Sequence, residues 1–199
     1  MADVFISYSR TDKAFAQRLA DALMASKHSV WLDKDDSAIT ASRWEKICRE
    51  IEDADNVLVL VTAEAVASPQ CQLELDYAAT HNKRIISVIR ADVDESAAFD
   101  KLGTAALDDQ TRKALNGRNI VTLARENWQT LARRTLVPFD EAQFDSSLQQ
   151  LLPVIDAHRD YVREHTRLLR SALVWKRQNA GLLSGADLNA AETWLAQGM

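Results

Sequence analysis

Val57-Leu58-Val59-Leu60-Val61 is apolar at every position. A half-exposed strand alternates apolar and polar residues. A strand with no polar position has both faces covered, which is the condition inside a parallel sheet clothed by helices. Working outward, Asp3-Val-Phe-Ile-Ser7 and Val30-Trp31-Leu32 read as strands before this run. Ile85-Ile86-Ser87-Val88-Ile89 reads as the fourth strand and Asn119 to Leu123 as a fifth. Amphipathic stretches lie between them. Phe15, Leu19, Leu23 and Met24 recur at helical spacing behind Thr11-Asp12, and Trp44, Ile47, Cys48 and Ile51 share a face behind Ser42. Ser68-Pro69 opens a helix from about Cys71 to Ala79, with proline tolerated near the first turn. Residues 92 to 117 read as loop, with at most one short helix near Asp108 to Leu115.

Strand-helix alternation predicts an α/β fold: a flavodoxin-like, five-stranded parallel sheet flanked by helices, joined by right-handed crossovers. Such sheets bind ligands beyond the carboxyl ends of their strands, so Ser7, Asp33 and the loops after them lie on the candidate functional edge. After Phe139 no strand is expected. Helices are predicted over Glu141 to Leu152, with Pro153 as a break or kink, and then over a longer stretch with Tyr161, His165, Leu168, Ala172 and Trp175 on one face. A turn at Gly181 to Gly185 precedes a last helix over Ala186 to Ala196. The expected division is a domain at 1–152 and a C-terminal helical extension at 153–199. Trp175, Leu188, Trp194 and Leu195 are too apolar for isolated helices in water, so a hairpin packed on itself or on the domain is expected.

The chain has 199 residues, 24 basic and 29 acidic, for a net charge of −5. A mildly acidic chain is a poor general nucleic-acid binder, because phosphate affinity needs clustered Lys and Arg. Two cysteines, Cys48 and Cys71, make neither a disulfide scaffold nor a four-ligand zinc site. The histidines show no metal-ligand spacing. Lys83-Arg84 and Arg133-Arg134 read as solvated basic pairs. The N-terminus carries no basic and apolar signal peptide, and no run approaches a membrane helix, so a cytoplasmic protein without membrane contact is expected. Only five glycines are present and no Gly-x-Gly-x-x-Gly or phosphate-loop motif occurs, which excludes a Rossmann dehydrogenase or a P-loop NTPase.

Four segments in order resemble one family. Asp3-Val-Phe-Ile-Ser-Tyr-Ser-Arg10 is similar to the opening strand motif of TIR (Toll/interleukin-1 receptor) domains, and Val30-Trp-Leu-Asp33 to their second strand. Residues 34 to 44 correspond to the BB loop, and Ala54-Asp55-Asn56 into Val61 to the third strand. Ser68-Pro-Gln-Cys71-Gln-Leu-Glu74-Leu75 resembles the Ser-x-x-Cys-x-x-Glu-Leu signature. The resemblance spans about the first 150 residues, and the tail looks like the helical segment that follows the TIR domain in many multidomain bacterial proteins. The family's bacterial members commonly hydrolyse NAD in phage defence; its animal receptor members are adaptor platforms. The resemblance therefore implies an NAD glycohydrolase releasing nicotinamide and ADP-ribose or a cyclic form of it. NAD enters as substrate and no cofactor is needed. The implied partners are other TIR domains, through self-association, and a fused or separate sensor region. A non-enzymatic TIR scaffold is the alternative from another class, and a nucleotide-dependent transferase a weaker third.

Glu74 occupies the family's catalytic glutamate position. A carboxylate beside the ribose can stabilise the oxocarbenium-like charge that develops as nicotinamide leaves; read without the resemblance, Glu74 is first of all a surface glutamate near a helix start, since a single carboxylate is weak evidence of chemistry. Phe5, Ser7 and Tyr8 end the first strand, where the family holds the nicotinamide-ribose end of NAD, though Phe5 also reads as a core residue. Asp33 can bind a ribose hydroxyl or cap its loop. Trp44 can stack on a base, or belong to the core with Ile47 and Ile51. Gln70 stands where many bacterial members carry a stacking tryptophan, and the BB loop lacks its usual glycine before the next helix. Cys71 reads as a packed small residue of the motif, and His81 as a neighbour on Glu74's helix.

Overall fold

A computed structural model describes residues 2–34, 39–90, 93–179 and 181–197. Five strands, β1 (Val4–Ser7), β2 (Val30–Leu32), β3 (Asn56–Val61), β4 (Arg84–Ile89) and β5 (Thr135–Pro138), form one sheet. Their order is β2-β1-β3-β4-β5 and every neighbouring pair is parallel. The chain runs from β1 to one side for β2, then returns to the other side of β1 for β3. That reversal opens a crevice beyond the carboxyl ends of β1 and β3, where open α/β sheets take their ligands.

Period-two alternation divides the strand side chains between two helical layers. Val4, Ile6, Leu58, Leu60, Ile86 and Val88 face α1 (Lys13–Ala25) and α8 (Phe144–Asp156), where Phe15, Leu19, Phe144 and Leu151 meet them. Phe5, Val57, Val59, Val61 and Ile85 face α2 (Ala41–Asp53), α4 (Pro69–Thr80) and α7 (Ile120–Ala132), through Ile47, Ile51, Leu75 and Leu131. Ser7 is two residues beyond Phe5, so it shares that face and points at α4. The short helix α3 (Ala63–Val66), α5 (Glu95–Gly103) and α6 (Asp109–Leu115) enclose a third cluster with α7, around Phe99, Leu102 and Leu123.

Three expectations are corrected here. Asn119 to Leu123 is not the fifth strand: Asn119 Oδ1 accepts the backbone N–H groups of Val121 and Thr122 and caps α7. The β-branched Ile-Val-Thr imitates a strand, but Ile120, Leu123, Ala124 and Leu131 bury at helical spacing. The fifth strand is Thr135–Pro138, an edge strand with only Val137 buried, too short and too exposed to show an apolar run. In the stretch expected as loop with at most one short helix, the described residues 93 to 117 hold two helices; Asp94 caps α5 through its Oδ1, and Asp108 caps α6. Thr40, rather than Ser42, caps α2.

The C-terminal helices extend the molecule on the side away from the crevice. Pro153 falls inside α8, whose final carbonyls, with that of Ala157, accept from the Arg84 guanidinium. α9 (Arg159–Gln178) lays Val162 and Thr166 against the domain and ties itself to it with arginines. Arg159 and Arg163 reach Asp3, Arg170 reaches Asp53 and Arg177 reaches Glu52. Burial opposes ionisation of Asp3, yet Ser29 and then these two arginines hold its pKa down at about 2. α10 (Gly185–Gln197) folds back on α9, with Trp194 stacked on Tyr161 at 4.7 Å and its indole N–H donated to the Tyr161 carbonyl. The expected hairpin is thus present.

The reading of Lys83-Arg84 as a solvated pair is overturned. Lys83 is 0% exposed. Its ammonium donates to the Glu52 carbonyl and to Thr166 Oγ1 beneath α9, and burial lowers its pKa to about 8. Ending the chain after Ala157 exposes this site and removes the Val162 contact but takes nothing from the sheet. We expect a folded domain destabilised by about 2–4 kcal/mol, measured by denaturant titration followed by far-UV circular dichroism. Loss of the whole α/β signal would show that the tail belongs to the same cooperative core.

Candidate active site

Beyond β1 and β3 lies a cleft of about 510 Å³. Its walls come from the β1 end (Tyr8, Ser9, Thr11), the approach to α2 (Asp33, Ile39, Arg43), the start of α4 (Ser68, Gln70, Glu74) and the α5–α6 region (Lys101, Asp108, Thr111). Residues 35–38 of the segment compared with the BB loop lie outside the described residues.

Glu74 lines this cleft while being only 3% exposed. Each carboxyl oxygen has a donor. Ser7 gives its hydroxyl to Oε2 at 2.6 Å, and Gln70 gives Nε2 to Oε1 at 2.8 Å from one turn earlier on α4. The geometry follows from the periods of the two elements: position i+2 from Phe5 faces α4, and residues four apart on a helix share a face. Burial raises the Glu74 pKa from an ordinary 4.5 to about 7; the Ser7 and Gln70 hydrogen bonds restrain the rise. A carboxyl group poised there is half ionised at neutral pH, which suits a group that meets developing positive charge.

The other expected site residues divide. Tyr8 lines the cleft and donates its hydroxyl to the Asp33 carbonyl at 2.5 Å, tying the ends of β1 and β2 together. Asp33 lines it too, with Oδ2 held by Arg43 at 2.6 and 3.1 Å. Its carboxylate therefore orders the approach to α2. Phe5 is fully buried and stacks on Trp31 at 4.8 Å, and Trp44 packs edge-on to Tyr77 at 6.1 Å. Neither borders the cleft, so the geometry brings them to the core and not to Glu74. Cys71 is buried, with a thiol pushed up to about 12 by that burial, which leaves no thiolate for nucleophilic chemistry. His81 turns back on its helix, its ring against Tyr77 at 4.1 Å.

Arg43, Lys101, Asp108 and Thr111 escaped the sequence reading. Arg43 carried a signal, since it sits between the α2 cap and Trp44 in the stretch compared with the BB loop. The other three were hidden because residues 92 to 117 read as loop with at most one short helix near Asp108 to Leu115, and no motif points from there to a strand end. Among the described residues, no group of three His, Cys, Asp or Glu is placed to hold a metal ion, and no helix is long and apolar enough to cross a membrane.

The family profile described as TIR domain matches residues 4–136. The chain belongs to the TIR domain family. The match takes in β1 to β4 and ends at the start of β5, and Ser7, Gln70 and Glu74 lie within it. Among solved structures, the TIR domain of this chain is similar to the TIR domains of the activated Roq1 resistosome that directly recognises the pathogen effector XopQ. The TM-score is 0.56, with 18% identity over 78% of this chain and 99% of the other. At that identity the likeness speaks for the fold. No curated protein matches the chain.

Proposed function

We propose that this TIR domain is an NAD glycohydrolase with Glu74 as its catalytic carboxylate. The observation that supports the reading is the buried carboxyl on the cleft wall, held by two donors with its pKa raised to about 7. In the proposed reaction the bond between nicotinamide N1 and ribose C1′ breaks and its electron pair stays on nicotinamide, which leaves neutral. Positive charge develops on C1′ and the ring oxygen, where an anionic Glu74 stabilises it. Water then adds to C1′ and releases a proton, giving ADP-ribose; attack by an adenine nitrogen gives the cyclic form instead. The cleft hydroxyls of Ser9, Thr11 and Ser68 suit a polyhydroxylated, phosphorylated substrate. Service in bacterial anti-phage signalling, with NAD loss or its product as the message, is the role this reading assigns.

The test is incubation of the purified chain with NAD and chromatographic separation of nicotinamide, ADP-ribose and cyclic product. The pH dependence is part of it. Glu74 acts as the anion, so kcat/KM is expected to rise about tenfold per pH unit below 7 and to level off above about 8. The cationic pyridinium of bound NAD favours the anion, so the rise in kcat lies at lower pH than that in kcat/KM. No turnover at any pH, including with the chain tethered at high local concentration, would favour the non-enzymatic scaffold.

A further inference from the structure

Gln70 shares the cleft wall with Glu74 and stands one turn before it on α4. It is the only amide side chain among the described residues that line the cleft. One N–H of its Nε2 is given to Glu74 Oε1 at 2.8 Å. A primary amide has a second N–H and a carbonyl oxygen with two lone pairs. Among the described residues neither of these has a hydrogen-bond partner, and the side chain is half-buried at the cleft wall. The contact with Glu74 restrains the amide, so its spare groups are offered to the cleft with little ordering left to do.

A pyridinium whose C1′ faces Glu74 carries its carboxamide on the ring carbon meta to N1. That group therefore lies one ring's breadth to the side of C1′. Residues one helical turn apart are separated by about 5.4 Å along the axis, which is the scale of that displacement. The spare acceptor and donor of Gln70 thus meet a group that itself presents an N–H2 and a carbonyl. Its neighbours on the wall match a carboxamide less well. Asp33 and Arg43 hold each other, and Ser68 Oγ accepts the Cys71 backbone N–H. An uncharged amide answers an uncharged amide without setting an unpaired charge against it.

We propose that Gln70 binds the carboxamide of the nicotinamide leaving group and so selects dinucleotides that carry this amide over analogues that lack it. The inference rests on the proposed placement of NAD's nicotinamide-ribose bond at Glu74. It gives Gln70 a contact toward substrate beside its support of the carboxylate.

The probe is 3-acetylpyridine adenine dinucleotide, which keeps the carbonyl and replaces the amide N–H2 by a methyl group. The ratio of kcat/KM for NAD to that for the analogue is measured for the unaltered chain and for Gln70→Met. Both substrates refer to the same free enzyme, so the ionisation of Glu74 and any misfolded fraction cancel in the ratio. The ratio is expected to fall about fivefold or more in Gln70→Met, the worth of one hydrogen bond. Ser7→Ala removes the other donor to Glu74; it should slow both substrates alike and leave the ratio unaltered. A ratio that Gln70→Met does not move overturns the proposal and leaves the glycohydrolase reading intact. A ratio that moves equally in Ser7→Ala overturns it too, because the selection would then follow the carboxylate. If neither dinucleotide turns over, the glycohydrolase reading fails, and calorimetric titration of the same proteins decides the contact. A binding preference for NAD that is lost in Gln70→Met supports it; equal affinities, or no binding, overturn it.

Discussion

Glu74→Gln is expected to leave a folded protein that binds NAD and turns it over about 10²–10³ times more slowly. The substitution keeps the size of the side chain and its place among its neighbours. The new amide oxygen still accepts from Gln70, and the amide nitrogen can donate to Ser7 Oγ, which served as donor to the carboxylate. Only the negative charge is lost. Its worth is greatest where positive charge is greatest, at the ribose in the transition state, so the loss falls on kcat and little on substrate affinity. A merely structural glutamate would give a different result, with kcat unaltered or with lost activity tracking lost folding. Single-turnover measurement at saturating NAD, beside equilibrium binding, separates the cases. Unaltered turnover in the variant would remove Glu74 from the chemistry.

The route from sequence to this site was uneven, for physical reasons. Val57 to Val61 announced a covered parallel strand because burial on both faces leaves no polar position, and β1 and β4 were legible on the same ground. β5 was not: at the sheet edge only Val137 had to be apolar, while the helical start Ile120-Val121-Thr122-Leu123 carried stronger β character than the strand itself. Glu74 and Ser7 could be named from a local motif and a strand end. Their contact, 67 residues apart, depends on the register of β1 against α4, which no local pattern encodes. Gln70 looked like a departure from a stacking tryptophan, and its position one turn before Glu74 makes it the second donor to the carboxylate. Lys83 misled because a Lys-Arg pair after a helix reads as solvated; α9, arriving from 83 residues later, buries it. Trp44 and Phe5 kept both of their sequence readings until packing placed them in the core.

Stability should record the same carboxyl group with the opposite sign. Glu74 has an ordinary pKa of 4.5 and a folded value of about 7. Between these values the folded state binds more protons than the unfolded one, so stability falls as pH rises through the window. Above about pH 8 the full shift is a penalty of roughly 3 kcal/mol for holding the anion away from water. Below about pH 4.5 Glu74 is neutral in both states and the penalty vanishes. Glu74→Gln is neutral throughout. The variant should therefore match the parent near pH 4.5 and exceed it at pH 8, by roughly 6–12 °C in Tm for a chain of this size. The difference between the two proteins isolates this group, because Asp3, Lys83 and the other perturbed groups are common to both. Scanning calorimetry of the pair at half-unit pH steps is the measurement. Parallel Tm curves would mean that the carboxylate is solvated in the folded state, and the poised acid on which the proposed chemistry rests would be gone. A gap that opens between pH 4.5 and 7 while turnover collapses would mean that the domain gives up stability to keep an anion at the cleft wall, which a scaffold has no reason to do.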